Sequence, residues 1–407
     1  MELLEAEHGN VSAVMDWALA NDEIEGAARL SGALWHFWQR GGHLSEGRRW
    51  LEAVLGRRGS LPPAMQAQAF YGLGVLLWHQ GMYQAAHSAV RQSVLLWRAR
   101  DDRSRLAYGL AMLGLTAHDK NSPDSARPHF QESLALFREM DDPWGLALAL
   151  FHAGHAATVA GSGDGRERLV QSLELFQAAG NRWGTTLALY GLGVWAYRQE
   201  QFDLARTHLE QALAIQREEG NNWLVARTLN RLGEVARCEQ ACERAKDLYQ
   251  ESLEHFEALG AEGWVASAQA GLGRVAGAQG DIRTALALLE RAMAFYRRTG
   301  HTPGLLKCIE GVAGIFGSMG RPLLAVRLLS MTDAMHRAAQ TKITPVDRLD
   351  RERHLASLRN QFNDHTFALA WGEGQAMSLQ QAIDVVRIGY MAVDGPIHGS
   401  GGKLAGQ

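Results

Sequence analysis

Two stretches decide the fold: residues 183–213, WGTTLALYGLGVWAYRQEQFDLARTHLEQAL, and residues 223–253, WLVARTLNRLGEVARCEQACERAKDLYQESL. Set one above the other, they share a leucine–glycine pair, Leu192-Gly193 and Leu232-Gly233. Twelve residues later each has an alanine (Ala205, Ala245), and four beyond that a larger apolar side chain (Leu209, Tyr249). Working outward, the glycine recurs at Gly74, Gly114, Gly154, Gly193, Gly233 and Gly273 and continues at Ala313, in steps of 40, 40, 39, 40, 40 and 40 residues. The alanine recurs at Ala86, Ala126, Ala285 and Ala325, and the apolar residue at Val90, Phe130, Leu289 and Leu329. Arg166 interrupts the alanine series in the repeat with the odd spacing. Self-similarity at a fixed period of this kind is the mark of stacked supersecondary units.

The coupled positions imply two antiparallel helices per unit. A glycine and an alanine let the paired helices approach closely, while Leu73, Leu113, Leu192, Leu232 and Leu272 fill the seam. Gly81, Gly280 and Gly320 fall at the turn between the helices, where a residue tolerant of positive φ is wanted. Asp142-Pro143 supplies an N-cap followed by proline in the first turn. Asn181 and Asn221 take the equivalent place, followed by Trp183 and Trp223, which are expected to pack in the core or at its edge.

This pattern resembles the tetratricopeptide repeat, whose helix-pair consensus is W-x2-L-G-x2-Y followed by A-x3-F. The leucine–glycine pair, the later alanine and the apolar residue match. The proline near the consensus end is missing, and the period near 40 exceeds the usual length of about 34. Longer second helices account for both departures. The resemblance covers roughly residues 27–336. It implies an all-α, right-handed superhelical solenoid of about eight helix pairs with closing helices, whose concave groove binds a protein, peptide or other effector.

Both ends extend the resemblance. The phrases EAEHGNVSAVMDWALAND and ARLSGALWHFWQRGGHLSEGRRWLEAVL are similar to the segment after the nucleotide-binding part of large bacterial signal-transduction ATPases, including LuxR-associated and antibiotic-regulator transcriptional regulators. RPLLAVRLLSMTDAMHRAAQTKITPVDRLDRERHLASLRNQF and FALAWGEGQAMSLQQAIDVV are similar to the end of those arrays. The expected division is 1–60 for N-terminal helices and a degenerate capping repeat, 61–340 for the array, and 341–389 for closing helices near 347–362, 364–373 and 378–389. Residues 390–407 read as a glycine-rich disordered tail. The resemblance implies a regulatory sensor, with a protein or peptide partner and a nucleotide-binding domain in cis or in trans. A free-standing adaptor without any link to transcription is the alternative. The chain is expected to be either an array excised from a longer protein or a stand-alone relative.

Composition narrows the function classes. With 41 basic and 44 acidic residues the net charge is −3, which leaves no basic stripe for direct nucleic-acid contact. No G-x-x-x-x-G-K-[ST] loop occurs, so no Walker-type nucleotide site is expected here. The acidic N-terminus does not resemble a secretory signal, and no long apolar run predicts a membrane span. Three cysteines, Cys238, Cys242 and Cys308, cannot build a disulfide framework, which fits a cytoplasmic protein. Cys238 and Cys242 lack a second pair for zinc and read as small apolar filler. His152 and His155, with His118 from the preceding repeat, read as polar wall residues rather than metal ligands, and the Gly161–Gly165 loop as a flexible turn. No catalytic set stands out, so no enzyme, cofactor or metal is expected.

Helical spacing places the inward positions three before, one after and four after each anchor glycine. The candidate groove residues are therefore Tyr71, Trp78, His118, Phe151, His155, Tyr190 and Tyr197, then Asn230, Glu234, Arg237 and Arg274, with Arg227 one turn earlier. Aromatic and arginine side chains are the usual anchors of interfaces.

Overall fold

The computed structural model describes Leu4 and residues 6–119, 123–339 and 343–391. Two compact units make up the chain, Met1–Ala268 and Gln269–Gln407. The expected tail falls almost wholly outside the described residues.

In the first unit α1 (His8–Ala20) precedes α2 (Ile24–Gly41) and α3 (Leu44–Gly56), the degenerate pair. The pairs α4 (Pro63–His79) and α5 (Tyr83–Ala99), α6 (Arg103–Asp119) and α7 (Pro123–Glu139), and α8 (Pro143–Ala160) and α9 (Gly165–Ala178) follow. Then come α10 (Arg182–Arg198) and α11 (Phe202–Glu218), and α12 (Asn222–Cys238) and α13 (Cys242–Ala258). The unit division falls inside α14 (Glu262–Ala278). The second unit continues with α15 (Ile282–Thr299), α16 (Thr302–Ser318) and α17 (Pro322–Ala338). Its closing helices are α18 (Pro345–Arg359), α19 (Asp364–Gln375) and α20 (Leu379–Met391). Of the eight helical hairpins from α2–α3 to α16–α17, seven carry the periodic anchor and α2–α3 is the degenerate pair.

The three coupled positions meet physically. A Cβ added at Gly114 would stand 2.8 Å from the Phe130 ring, one at Gly233 2.9 Å from Tyr249, and one at Gly273 2.9 Å from Leu289. Each anchor is glycine because the apolar residue of the returning helix presses on it. The odd repeat obeys the same rule one residue early. Gly165 replaces the alanine and Leu169 packs on Gly154, so the expected role of position 166 moves by one. That single deletion is the missing residue in the 39-residue step.

The hairpin turns use left-handed backbone at Gly81, Gly161, Gly280 and Gly320, and at Glu200 and Gln240 in the repeats that lack the glycine. Buried serines on second helices repeat one contact. Ser133, Ser172 and Ser252 each donate to the carbonyl of Ala107, Ala147 or Ala226 at 2.8 Å. Asn181 and Asn221 cap α10 and α12 as expected, their side chains accepting from the Gly184 and Leu224 N–H groups.

The first unit closes on itself. Gly263 N–H donates to the Gln80 carbonyl at 2.9 Å, and a Cβ at Gly81 would come within 2.8 Å of Gly263 Cα. The α2–α3 turn meets the end of α13, where a Cβ at Gly42 would lie 3.1 Å from Leu259.

In the second unit α18 packs on α16 and α17, and α19 lies so close to α17 that Gly374 abuts the Arg327 backbone.

Candidate functional site

The closed first unit surrounds a cavity of about 500 Å³. Its wall comes from α2 and from the first helices α4, α6, α8, α10 and α12, with Trp97 from α5. Nine aromatic side chains line it: Trp35, Tyr71, Trp78, Trp97, Tyr108, Trp144, Phe151, Trp183 and Trp223. Six of the twelve tryptophans of the chain are therefore in one wall. The charged lining residues are Arg40, Arg105 and Arg227, with no aspartate or glutamate among those that line the cavity.

Arg227 is the centre of this wall. It is only 6% exposed, yet its guanidinium faces aromatic rings rather than a carboxylate. Its carbon lies 4.2 Å from the Tyr190 ring centre, 5.4 Å from Trp223, and 5.8 Å from both Trp78 and Trp264. One terminal nitrogen lies 3.4 Å from His155 Nε2, and Nε has no hydrogen-bond partner. Cation–π attraction offsets part of the desolvation cost of such a cation, at about 0.5–2 kcal/mol per ring. Arg105 differs, since it is exposed, pairs with Asp102 at 3.3 Å and lies over Trp97.

The histidines complete the electrostatics. Burial, reinforced by Arg227, lowers His79 to about 3 and His152 to about 3. The same two causes push His155 well below its ordinary value, and burial with Arg40 lowers His36 to about 4. Burial also raises Tyr71 to about 12. At neutral pH the wall is thus made of neutral rings and uncompensated arginine. It suits an apolar or aromatic molecule carrying negative charge.

The sequence-predicted groove residues divide into three groups. Tyr71, Trp78, Phe151 and Arg227 line the cavity. Tyr190 and His155 are buried against Arg227, while His118 is partly buried and lies near enough to His155 to depress its basicity. Further along, Tyr197 lies under Arg231 at 5.3 Å, Glu234 is paired with Arg231, Arg237 is buried, and the buried Asn230 has an unpartnered Nδ2. Arg274 belongs to the second unit, where Asp347 and Asp350 of α18 hold its guanidinium.

Sequence spacing missed Trp35, Trp97, Trp144, His36, His79, Arg40 and Arg105 as cavity residues, gave Trp183 and Trp223 a packing role only, and read His152, which lines the cavity, as a polar wall residue. A signal was present, since Trp144, Trp183 and Trp223 occupy one register in successive repeats. The contact of Trp78 with Trp223, 5.4 Å between ring centres, is different in kind. It depends on how the hairpins coil, which a linear period does not encode.

For metal binding, one cluster among the described residues brings donor atoms together: His8, His43 and Glu46. The two imidazoles stack at 3.9 Å with planes 17° apart, so an ion in the plane of one ring would lie outside the plane of the other. His8 and Glu46 instead form a 2.6 Å contact. The geometry does not fit shared coordination.

Comparison with known proteins agrees with this architecture. Two family models, each described as tetratricopeptide repeat, match residues 185–219 and 224–298. Mb0914c of Mycobacterium bovis and Rv0890c of Mycobacterium tuberculosis, both predicted HTH-type transcriptional regulators, are 26% identical over 165 residues. That match spans 39% of this chain and 18% of the relatives' length. Among solved structures, a Rap protein complexed with competence and sporulation factor superposes with a TM-score of 0.56 at 12% identity, over 88% of this chain and 99% of that one. A signal-transduction ATPase with a tetratricopeptide repeat sensor from Pyrococcus horikoshii reaches a TM-score of 0.46 at 13% identity, over 85% of this chain and 54% of its own. No helix among the described residues is long and apolar enough to cross a membrane. The chain is thus an all-α array of helix pairs that matches the tetratricopeptide repeat over residues 185–219 and 224–298 and shares its fold with the Rap protein.

Proposed function

We propose that this chain is a regulatory interaction module, and that the cavity of its first unit receives the effector to which it responds. The observation that carries the reading is the aromatic cavity of about 500 Å³ with a buried, uncompensated Arg227 in its wall. That volume lies within the range of roughly 300–1,000 Å³ usual for ligand sites. An array whose inner wall served only to stack helices would gain nothing from an arginine buried without a counter-ion. The resemblance to regulators at both chain ends supports a role in signalling, with a protein partner such as a nucleotide-binding domain in cis or in trans reading the occupied state.

Six tryptophans at the cavity make intrinsic fluorescence a direct reporter. A screen of small molecules and short peptides is expected to give saturable changes in wild type that vanish in Val75→Trp, which fills the cavity. Responses that persist unchanged in the filled variant would place binding elsewhere and overturn the reading.

A further inference from the structure

We propose that the cavity is built for a small aromatic carboxylic acid, held by its carboxylate on the guanidinium of Arg227 and by its ring among the surrounding tryptophans. This deepens the cavity reading and rests on it.

Three independent observations carry the assignment. The first is charge. Arg227 is nine-tenths buried, lines the cavity, and keeps Nε without a partner, while the residues that line the cavity include no aspartate or glutamate. Arginine presents donors in a planar fork that matches a carboxylate in two parallel bonds, and such charge-assisted bonds are the strong ones.

The second is shape. Trp144 and Trp183 stack with planes 15° apart and ring centres 6.2 Å from one another, while Trp223 and Trp78 stand next to the guanidinium. Flat rings beside a cation suit a flat ligand with one charged end.

The third is the proton inventory. His36, His79 and His152 stay neutral at physiological pH because burial and nearby arginines disfavour their charged forms. They add hydrogen-bonding capacity without adding further charge, so the buried positive charge of the wall is that of Arg227, while Arg40 and Arg105 are exposed and Arg105 is paired with Asp102. A monoanion fits that arrangement better than a polyphosphate. The cavity volume fits a free small molecule better than an extended chain, which fixes the source as well as the chemistry.

The test compares naphthaleneacetate with naphthaleneacetamide, the same ring and linker with the charge removed, by calorimetry and tryptophan fluorescence on the full chain. The acid is expected to bind at least about tenfold tighter, the size of effect a charged hydrogen-bonded pair supplies. Arg227→Met is expected to erase that difference. It is also expected to raise the thermal midpoint, because it removes a buried charge without a counter-ion, so that loss of the acid preference cannot be put down to unfolding. Equal binding of acid and amide to wild type would overturn the carboxylate assignment and leave the cavity reading intact. Binding of neither, with saturable hits from the broader screen, would have the same meaning. Silence in both experiments would remove the cavity reading too. A tetrapeptide ending in tryptophan is expected to bind more weakly than naphthaleneacetate; tighter binding would overturn the small-molecule source.

Discussion

His79 has its Nε2 2.9 Å from the Gln39 amide nitrogen and its ring edge-on to Trp223 at 4.2 Å, so its protonation is coupled to the packing of the cavity wall. Burial first and Arg227 second hold its folded pKa near 3, below the unfolded value of 6.5. The unfolded chain therefore takes up a proton before the folded one does. The stabilising contribution is fully present above pH 6.5 and is lost as pH falls from 6.5 toward 3. Within that window a single such group tilts stability by about 1.4 kcal/mol per pH unit. Urea unfolding at pH 5 and pH 6 should give a slope shallower by about that amount in His79→Gln than in wild type, where His36, His152 and His155 contribute as well. Parallel slopes would mean that His79 is not held neutral in the folded protein. Arg227→Met removes the second cause, so His79 should then titrate closer to its ordinary value, a shift that its ring proton signals would report.

At the level of the helix pair, small residues are set by what presses on them. Gly184 is the third residue of α10, where its N–H meets the Asn181 cap, and a Cβ there would run into the Phe176 ring. Gly145 stands in the same relation to Asp142 and Phe137, and Gly304 to His301 and Tyr296. Gly180, by contrast, has open space around it but a φ of +60°. Gly184→Ala should therefore cost about 1–3 kcal/mol through overpacking, and Gly180→Ala about 1–2 kcal/mol through backbone strain alone. Chemical denaturation separates the two if Gly184→Ala is combined with Phe176→Leu. The double variant should recover part of the loss, whereas no change in Phe176 can rescue Gly180→Ala. The turn residues Glu200 and Gln240 offer the converse case, at φ of +60° in both. Changing either to glycine should raise stability by about 0.5–1 kcal/mol, and a loss on substitution would show that their side chains are needed.

Much of this level was legible in the sequence. Helix pairing, the turn glycines, the Asn181 and Asn221 caps and the three closing helices all follow from spacing and local chemistry, because each depends on residues within one hairpin or its neighbour. The third-position glycines were not read. Their meaning lies in a ring from the preceding hairpin, as Phe176 shows for Gly184, and a single helix pattern does not reveal that pressure. The one-residue shift at Gly165 was hidden for the same reason: a fixed offset points to Arg166, while packing selects the small neighbour.

At the scale of the first unit, the cavity exists because distant hairpins touch, and that was not legible at all. Small rotations between successive pairs add up along the array, so the residue pairs that finally meet are set by a sum that no local motif records. Gln80 shows what holds the closure. Its carbonyl accepts from Gly263 N–H, its side-chain oxygen accepts from Arg48 at 3.0 Å, and its side-chain nitrogen donates to Ser45 Oγ at 3.0 Å. Gly81 and Gly263 approach so closely that neither tolerates a side chain, a Cβ at Gly263 standing 2.7 Å from Gly81 Cα and 2.8 Å from the Gln80 oxygen. Gly263→Val should therefore break this contact and little else, since each repeat is otherwise stabilised by its immediate neighbours. Helicity should be retained, while hydrogen exchange of the residue 263 amide becomes fast and the α4 contacts to α12 at Trp78, His79 and Trp223 loosen. Because those contacts form the wall that holds Arg227, the response to naphthaleneacetate should weaken together with the loss of amide protection. If exchange speeds up and ligand binding is untouched, the cavity is formed by neighbouring helices alone, and closure of the unit is incidental to its function.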